Sequence, residues 1–274
     1  MNLGLPPTTI AAAYEASCLA ELDALKPGNV HAFAAGHRMA VTDFVTSAAV
    51  SAPHLARAGA GVGARVLGGV EATMRAVGQN TNLGILLLCA PLALAAERGV
   101  VVQDILNGLD AQDAADVFAA IRAANPGGLG RAAQHDVNDP APPSLMVAMK
   151  EAAPRDRIAR AYVSGFEDVV RVGLPALAAA RAGGLAPPWT TTAVFLAYLA
   201  AFPDSHVARK HGPERAELVR TEARALLSVD LAMDPVAELL AHDSALKAAA
   251  INPGTSADFT VATLFLDIVT RPVR

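Results

Sequence analysis

Two short stretches concentrate the side chains that could do chemistry on a phosphorylated substrate. The first, Lys26-Pro27-Gly28-Asn29-Val30-His31, presents an ammonium, an amide and an imidazole within six residues. Pro fixes φ and Gly permits a reversal, so the segment reads as a tight loop. Its Lys and His could bind phosphate or move a proton, and both are also ordinary in a loop between helices. The second stretch, Asp204-Ser205-His206 followed by Arg209, Lys210 and His211, carries one of only four lysines in the chain. Its cations suit phosphate, and they would also complement a helix C-terminus.

Carboxylates and amides elsewhere widen the set. Asp136, Asn138 and Asp139 supply oxygen ligands of the kind Mg²⁺ takes when it arrives with substrate phosphates, or simply belong to a surface loop. Glu15 lies beside the apolar stripe of the first helix, where it is either a buried acid in need of a partner or a solvated margin residue. Asn80-Thr81-Asn82 precedes a helix start, and amides at such an end cap it or help bind an anion. Asp110, Asp113 and Asp116 recur every three residues, which suits a helix N-terminus better than a metal cluster. Gly59 to Gly63 lacks the Lys-Ser/Thr ending and the preceding strand of a phosphate loop, so it reads as a helix junction.

The elements that must position these groups are all helical. Leu83 to Ala96 contains no charged residue and reads as a helix enclosed by others. Apolar residues at helical spacing predict helices over 8–25, 42–58 and 62–77, then over 100–109 and 113–124. A helix opening at Pro154 is expected to turn Ile158, Tyr162, Phe166, Val169 and Val170 inward. Further helices are predicted over 174–182, around 194–202, over 213–227 and over 235–251 with Asp234 as cap, and a last one is patterned by Phe259 to Val269 with Asp258 in its first turn. No strand alternation, repeat or linker interrupts them, so the reading is one all-α domain, 1–274, of ten to twelve helices.

Composition narrows the function. A hydrophobic share of 53% supports a sizeable core, while a net charge of −4 and 4% aromatic residues argue against nucleic-acid binding. The longest apolar run, 14 residues with Pro91 inside it, is short of the ~20 needed to span a bilayer. The first basic residue is Lys26, so a secretory signal is not expected and the cytoplasm is the expected location. Cys18 and Cys89 read as two buried thiols.

The order of these segments resembles the triphosphoribosyl-dephospho-CoA synthase family, especially its variants in archaea and some C1-metabolising bacteria. The matching stretches are 26–31, Asn80 to Gly84, Pro126 to Gly130, Arg155 to Arg160, Asp204 with Arg209 to Gly212, and Asn252 to Asp258. The resemblance implies a helical transferase that joins ATP to 3′-dephospho-CoA and releases adenine, with Mg²⁺ accompanying ATP. It implies Lys26, Asn29, His31, Asn80, Thr81, Asn82, Arg209 and Lys210 as substrate-binding candidates. Glu15, Asp136, Asp204 and His206 become catalytic candidates, with Asp136 and Asp139 as metal ligands. Members tied to citrate lyase tend to have His-Lys where this chain has Asn82-Leu83, and Asp-Thr-Asn where it has Asp204-Ser205-His206. Two other readings are a nucleotide-dependent step in making a C1 carrier such as tetrahydromethanopterin or methanofuran, and a non-catalytic nucleotide-binding protein. The many apolar helices leave room for a homodimer interface.

Overall fold

The computed structural model describes residues 4–33, 40–126, 134–233 and 235–271. Among them are fourteen α-helices and one π-helical turn, with no strand, so the all-α expectation holds and the helix count exceeds it. Contacts divide the chain into two compact units. One comprises Met1–Ala16, Asp43–Glu167 and Phe265–Arg274; the other comprises Ser17–Thr42 and Asp168–Leu264. Helices α1 (Pro7–Asp23) and α14 (Gly254–Thr270) contribute residues to both.

The first unit holds α2 (Val41–Leu55) from Asp43 onward, α3 (Val62–Val77), α4 (Leu83–Arg98), α5 (Val102–Asn107), α6 (Ala111–Ala124), α7 (Leu145–Ala152) and α8 (Arg157–Ser164). Helix α4 is apolar all round and is covered by α3, α5, α6 and α8, as its sequence requires. Glycines set how closely the neighbours approach: a Cβ on Gly69 would lie 2.8 Å from Leu86, and one on Gly63 would lie 2.7 Å from the Asp113 backbone. Pro91 inside α4 has no N–H to give the Leu87 carbonyl. The buried Tyr162 hydroxyl donates to that carbonyl instead, at 2.7 Å. We expect Tyr162→Phe to cost about 1–3 kcal/mol by stranding this oxygen, read as a lowered urea midpoint at unchanged m-value.

The three aspartates at spacing three form a cap region. Asp110 accepts the Gln112 and Asp113 N–H groups at 2.8 and 3.0 Å, and Asp113 accepts the Gly63 N–H at 2.8 Å. Both cysteines are buried thiols, as expected. The expected long helix from Pro154 to Val170 does not form. Helix α8 starts at Arg157, where Asp156 caps the Ala159 N–H at 3.0 Å, and ends at Gly165, whose φ of 66° closes it. The π-helical turn Val169–Gly173 then slips the helical phase, so Val169 is buried but Val170 is 53% exposed.

The second unit packs α9 (Leu174–Ala182), α10 (Pro187–Ala201), α11 (Ser205–His211), α12 (Pro213–Leu226) and α13 (Val236–Ala248) around Phe195, Leu199, Val207, Val219 and Leu239. The predicted cap Asp234 lies outside the described residues, as do 127–130 of the Pro126 to Gly130 stretch. Among the described residues no helix is long and apolar enough to cross a membrane.

Candidate active site

Segments separated by some two hundred residues meet in the second unit, around the turn Asn252–Ser256 that joins α13 to α14. Lys26 follows the end of α1 and has no exposed surface. Its ammonium donates to Glu21, to Asn29 Oδ1 at 3.1 Å and to the Val30 carbonyl at 2.7 Å. All three protons are thus engaged within the protein. Burial pushes Lys26 down and Glu21 up, and their mutual attraction opposes both shifts. Asn29 extends the link by donating to Asn252 Oδ1 at 2.8 Å.

The other end of the loop is held by Asp243 of α13. Its Oδ1 accepts the Gly28 N–H at 2.8 Å and faces His31 Nε2 at 3.3 Å, while Oδ2 pairs with Lys247 at 3.0 Å. Gly28 has φ 82°, and a Cβ there would lie 2.9 Å from Leu246 and Pro253, so only Gly fits against this face. Burial pushes the Asp243 carboxyl up, but the bonds from His31, Lys247 and Gly28 outweigh it and hold its pKa below the usual range. Burial lowers the His31 pKa against the pull of Asp243, so the imidazole is neutral near pH 7.

Asp204 joins two helix starts. Its Oδ1 caps α11 by accepting the His206 and Val207 N–H groups at 2.9 and 3.2 Å, and its Oδ2 accepts the Ser256 N–H and hydroxyl, both at 2.8 Å. Burial pushes this carboxyl up against those four bonds. The His206 N–H also reaches Thr255 Oγ1 at 3.1 Å, and a Cβ on Gly254 would lie 2.6 Å from His206 Nδ1, so the turn packs on the imidazole. Arg209 and Lys210 occupy the last turn of α11; partial burial and the Arg209 cation both push Lys210 down.

The remaining predicted residues belong to the first unit. Asn80 Oδ1 accepts the Leu83 N–H at 3.1 Å, which caps α4. Thr81 donates to Ser47 Oγ at 2.6 Å, and the buried Asn82 amide donates to Ser51 Oγ at 3.2 Å and Thr73 Oγ1 at 3.0 Å. Tyr14 meets Ser51 at 3.1 Å, so this end of α4 is stapled to α1, α2 and α3 by side-chain hydrogen bonds. Glu15 is partly exposed. Asp136 is buried, and its Oδ1 accepts the Asn138 N–H and amide at 3.0 and 2.9 Å, whereas Asp139 is exposed. Among the described residues no three His, Cys, Asp or Glu side chains are grouped to hold a metal ion.

Sequence reasoning missed Glu21, Asp243, Lys247 and Ser256. Glu21 had a signal: it follows Tyr14 and Ser17 on the buried face of α1, and a buried Lys26 demands a carboxylate. Asp243 and Lys247 had none, because opposite charges four residues apart are ordinary on a helix. We expect Asp243→Asn to cost about 1.5–3 kcal/mol at pH 7, where a charged hydrogen-bond acceptor is lost. A carboxyl depressed on folding stabilises above its unfolded pKa of ~3.9 and loses that contribution as pH falls through the folded value. The gap in urea midpoint between the two proteins should therefore close in acid.

A family profile, CitG: ATP:dephospho-CoA triphosphoribosyl transferase, matches residues 7–274. A crystal structure from Archaeoglobus fulgidus, of a protein provisionally described as a triphosphoribosyl-dephospho-CoA synthase, superposes with a TM-score of 0.64 at 26% identity. The alignment covers 80% of this chain and 95% of that one. No curated protein gives a significant match.

Proposed function

Because the chain belongs to the CitG family of ATP:dephospho-CoA triphosphoribosyl transferases, we propose how its own residues divide the work of that reaction. The enzyme joins ATP to 3′-dephospho-CoA, giving 2′-(5-triphosphoribosyl)-3′-dephospho-CoA and adenine. The bond from the ribose anomeric carbon of ATP to adenine breaks, and the acceptor's 2′ oxygen bonds that carbon. The hydroxyl proton passes to a base, and the departing adenine takes up a proton.

The observation that carries the assignment is the convergence of two of the family's segments, 26–31 and 204–212, on a third at Asn252–Ser256, through Asn29 to Asn252 and Ser256 to Asp204. Arg209 and Lys210 are assigned to the triphosphate: adjacent like charges with a depressed Lys are relieved by an anion. Lys26, its protons engaged, sets the loop that carries Asn29 and His31. His31, neutral and oriented by Asp243, is the leading proton acceptor, and His206 the leading donor. Asn80, Thr81 and Asn82 shape the start of α4.

Mg²⁺ enters with ATP and supplies charge neutralisation at the phosphates. Asp136 and Asp139 of the first unit, which are hard oxygen donors, are the carboxylates proposed to hold it. The family match over 7–274 supports treating the chain as one transferase domain. Use of ATP supports a cytoplasmic location; a homodimer and the absence of nucleic acid from its partners complete the proposal.

Incubation with ATP, Mg²⁺ and dephospho-CoA should release adenine, followed by chromatography, and give a product heavier than the acceptor by a triphosphoribosyl group. Omitting the acceptor should prevent release, and wild-type protein that yields no adenine would overturn the assignment. Arg209→Ala and Lys210→Ala should each raise the KM for ATP roughly 10- to 100-fold, the loss expected for a charge-assisted phosphate contact.

A further inference from the structure

Two rings in the second unit, Phe33 and Trp189, have no part in the assignments above. Phe33 is 47% exposed, the one aromatic among the large apolar side chains left open to solvent in the described residues. Exposure is a costly use of an aromatic in a chain whose aromatic share is only 4%. The ring is backed on two sides: Trp189 lies 6.3 Å away between centroids, tilted by 32°, and His31 lies 6.0 Å away. Trp189 is itself packed against the unit's apolar core, and the His31 ring is held by Asp243. The outward face of Phe33 therefore stands on a rigid support. Lys247 Nζ lies 3.4 Å from His31 Nε2, which puts an ammonium one imidazole away from the platform.

We propose that Phe33, backed by Trp189 and His31, is a stacking platform for the adenine ring of an adenine nucleotide, with Lys247 on the side where its phosphates run. A flat, electron-rich base stacks on an aromatic face without needing base-specific hydrogen bonds, and an adjacent cation suits the phosphates that every nucleotide carries. The inference rests on the transferase reading for its ligand class, because both substrates, ATP and dephospho-CoA, bring an adenine.

Trp189 is the chain's only tryptophan, so fluorescence excited beyond the absorption of the three tyrosines reports on this place alone. ATP and dephospho-CoA would be titrated separately against that signal, with inorganic triphosphate and 4′-phosphopantetheine as the corresponding adenine-free probes. Saturable quenching by ATP, by dephospho-CoA or by both is expected, and it identifies which substrate the platform holds; the adenine-free probes should leave the signal flat. Phe33→Ala should weaken the responding nucleotide about 5- to 150-fold, and Phe33→Leu, which keeps apolar bulk but lacks a π face, should weaken it nearly as much. No nucleotide-dependent change in wild type, or unchanged affinity in both variants, would overturn the proposal. Adenine release by wild type without any fluorescence response would sink the platform alone, whereas quenching without adenine release would keep it and sink the transferase assignment.

Discussion

Glu21→Ala should destabilise the protein by about 3–5 kcal/mol, the cost of leaving a buried charge without its partner. Lys26 has no exposed surface, and its ammonium was drawn out of water against Glu21, Asn29 Oδ1 and the Val30 carbonyl. Removing the carboxylate leaves two neutral acceptors facing a full charge. Burial already pushes the Lys26 pKa down, so in the variant the amine should shed its proton and loosen the loop that carries Asn29 and His31. Adenine release should fall with stability. Glu21→Gln keeps the shape and isolates the charge, and it should recover less than half of the loss. Glu21→Leu combined with Lys26→Met should restore stability to within a few kcal/mol of wild type, because the desolvation of both charges disappears together. Urea denaturation of the four proteins at pH 7 reads these differences. A Glu21→Ala protein as stable as wild type would show that the pair is not held as charges.

Asp204→Ala should cost about 2–4 kcal/mol, because one side chain caps α11 and satisfies the start of α14. Loss of an N-cap oxygen costs ~0.5–2 kcal/mol, and a stranded buried N–H at Ser256 about 1–3 more. Asp204→Asn is the sharper variant. Its oxygen can still accept from His206 and Val207, but its amide would point N–H groups at the Ser256 N–H, donor against donor. If Asp204 acts by positioning, Asp204→Asn should lose stability and adenine release together, and release should partly recover on cooling. A base in direct contact with substrate predicts the opposite: an abolished rate at every temperature in a protein of normal stability. The four hydrogen bonds to the protein favour the first outcome.

Both predictions depend on residues whose importance differed in visibility. Asp204 stood beside cations at the end of an apolar helix, and its type drew attention even though its partner Ser256 lay 52 residues away. Lys26 was visible as a lysine in a stiff loop that could bind phosphate, and the fold buries it as a staple instead. Asn82 invited a similar reading as an amide at a helix start, and its donors go instead to Ser51 and Thr73. Side-chain type announces capability; only the neighbours decide where the protons go.

The sequence by itself determined the all-α class, the enclosed α4, the buried cysteines and the ordered segments that mark the family. Those properties are local: apolar periodicity, capping and proline or glycine punctuation act within a turn or two of chain. Tertiary structure alone decided that Asp243 and Lys247 of α13 hold His31, that Tyr162 repairs the carbonyl left by Pro91, and that Phe33 stands exposed against Trp189. The first joins groups more than two hundred residues apart. No local pattern encodes such a meeting, because it is set by how whole helices pack and which buried polar atoms then need a partner.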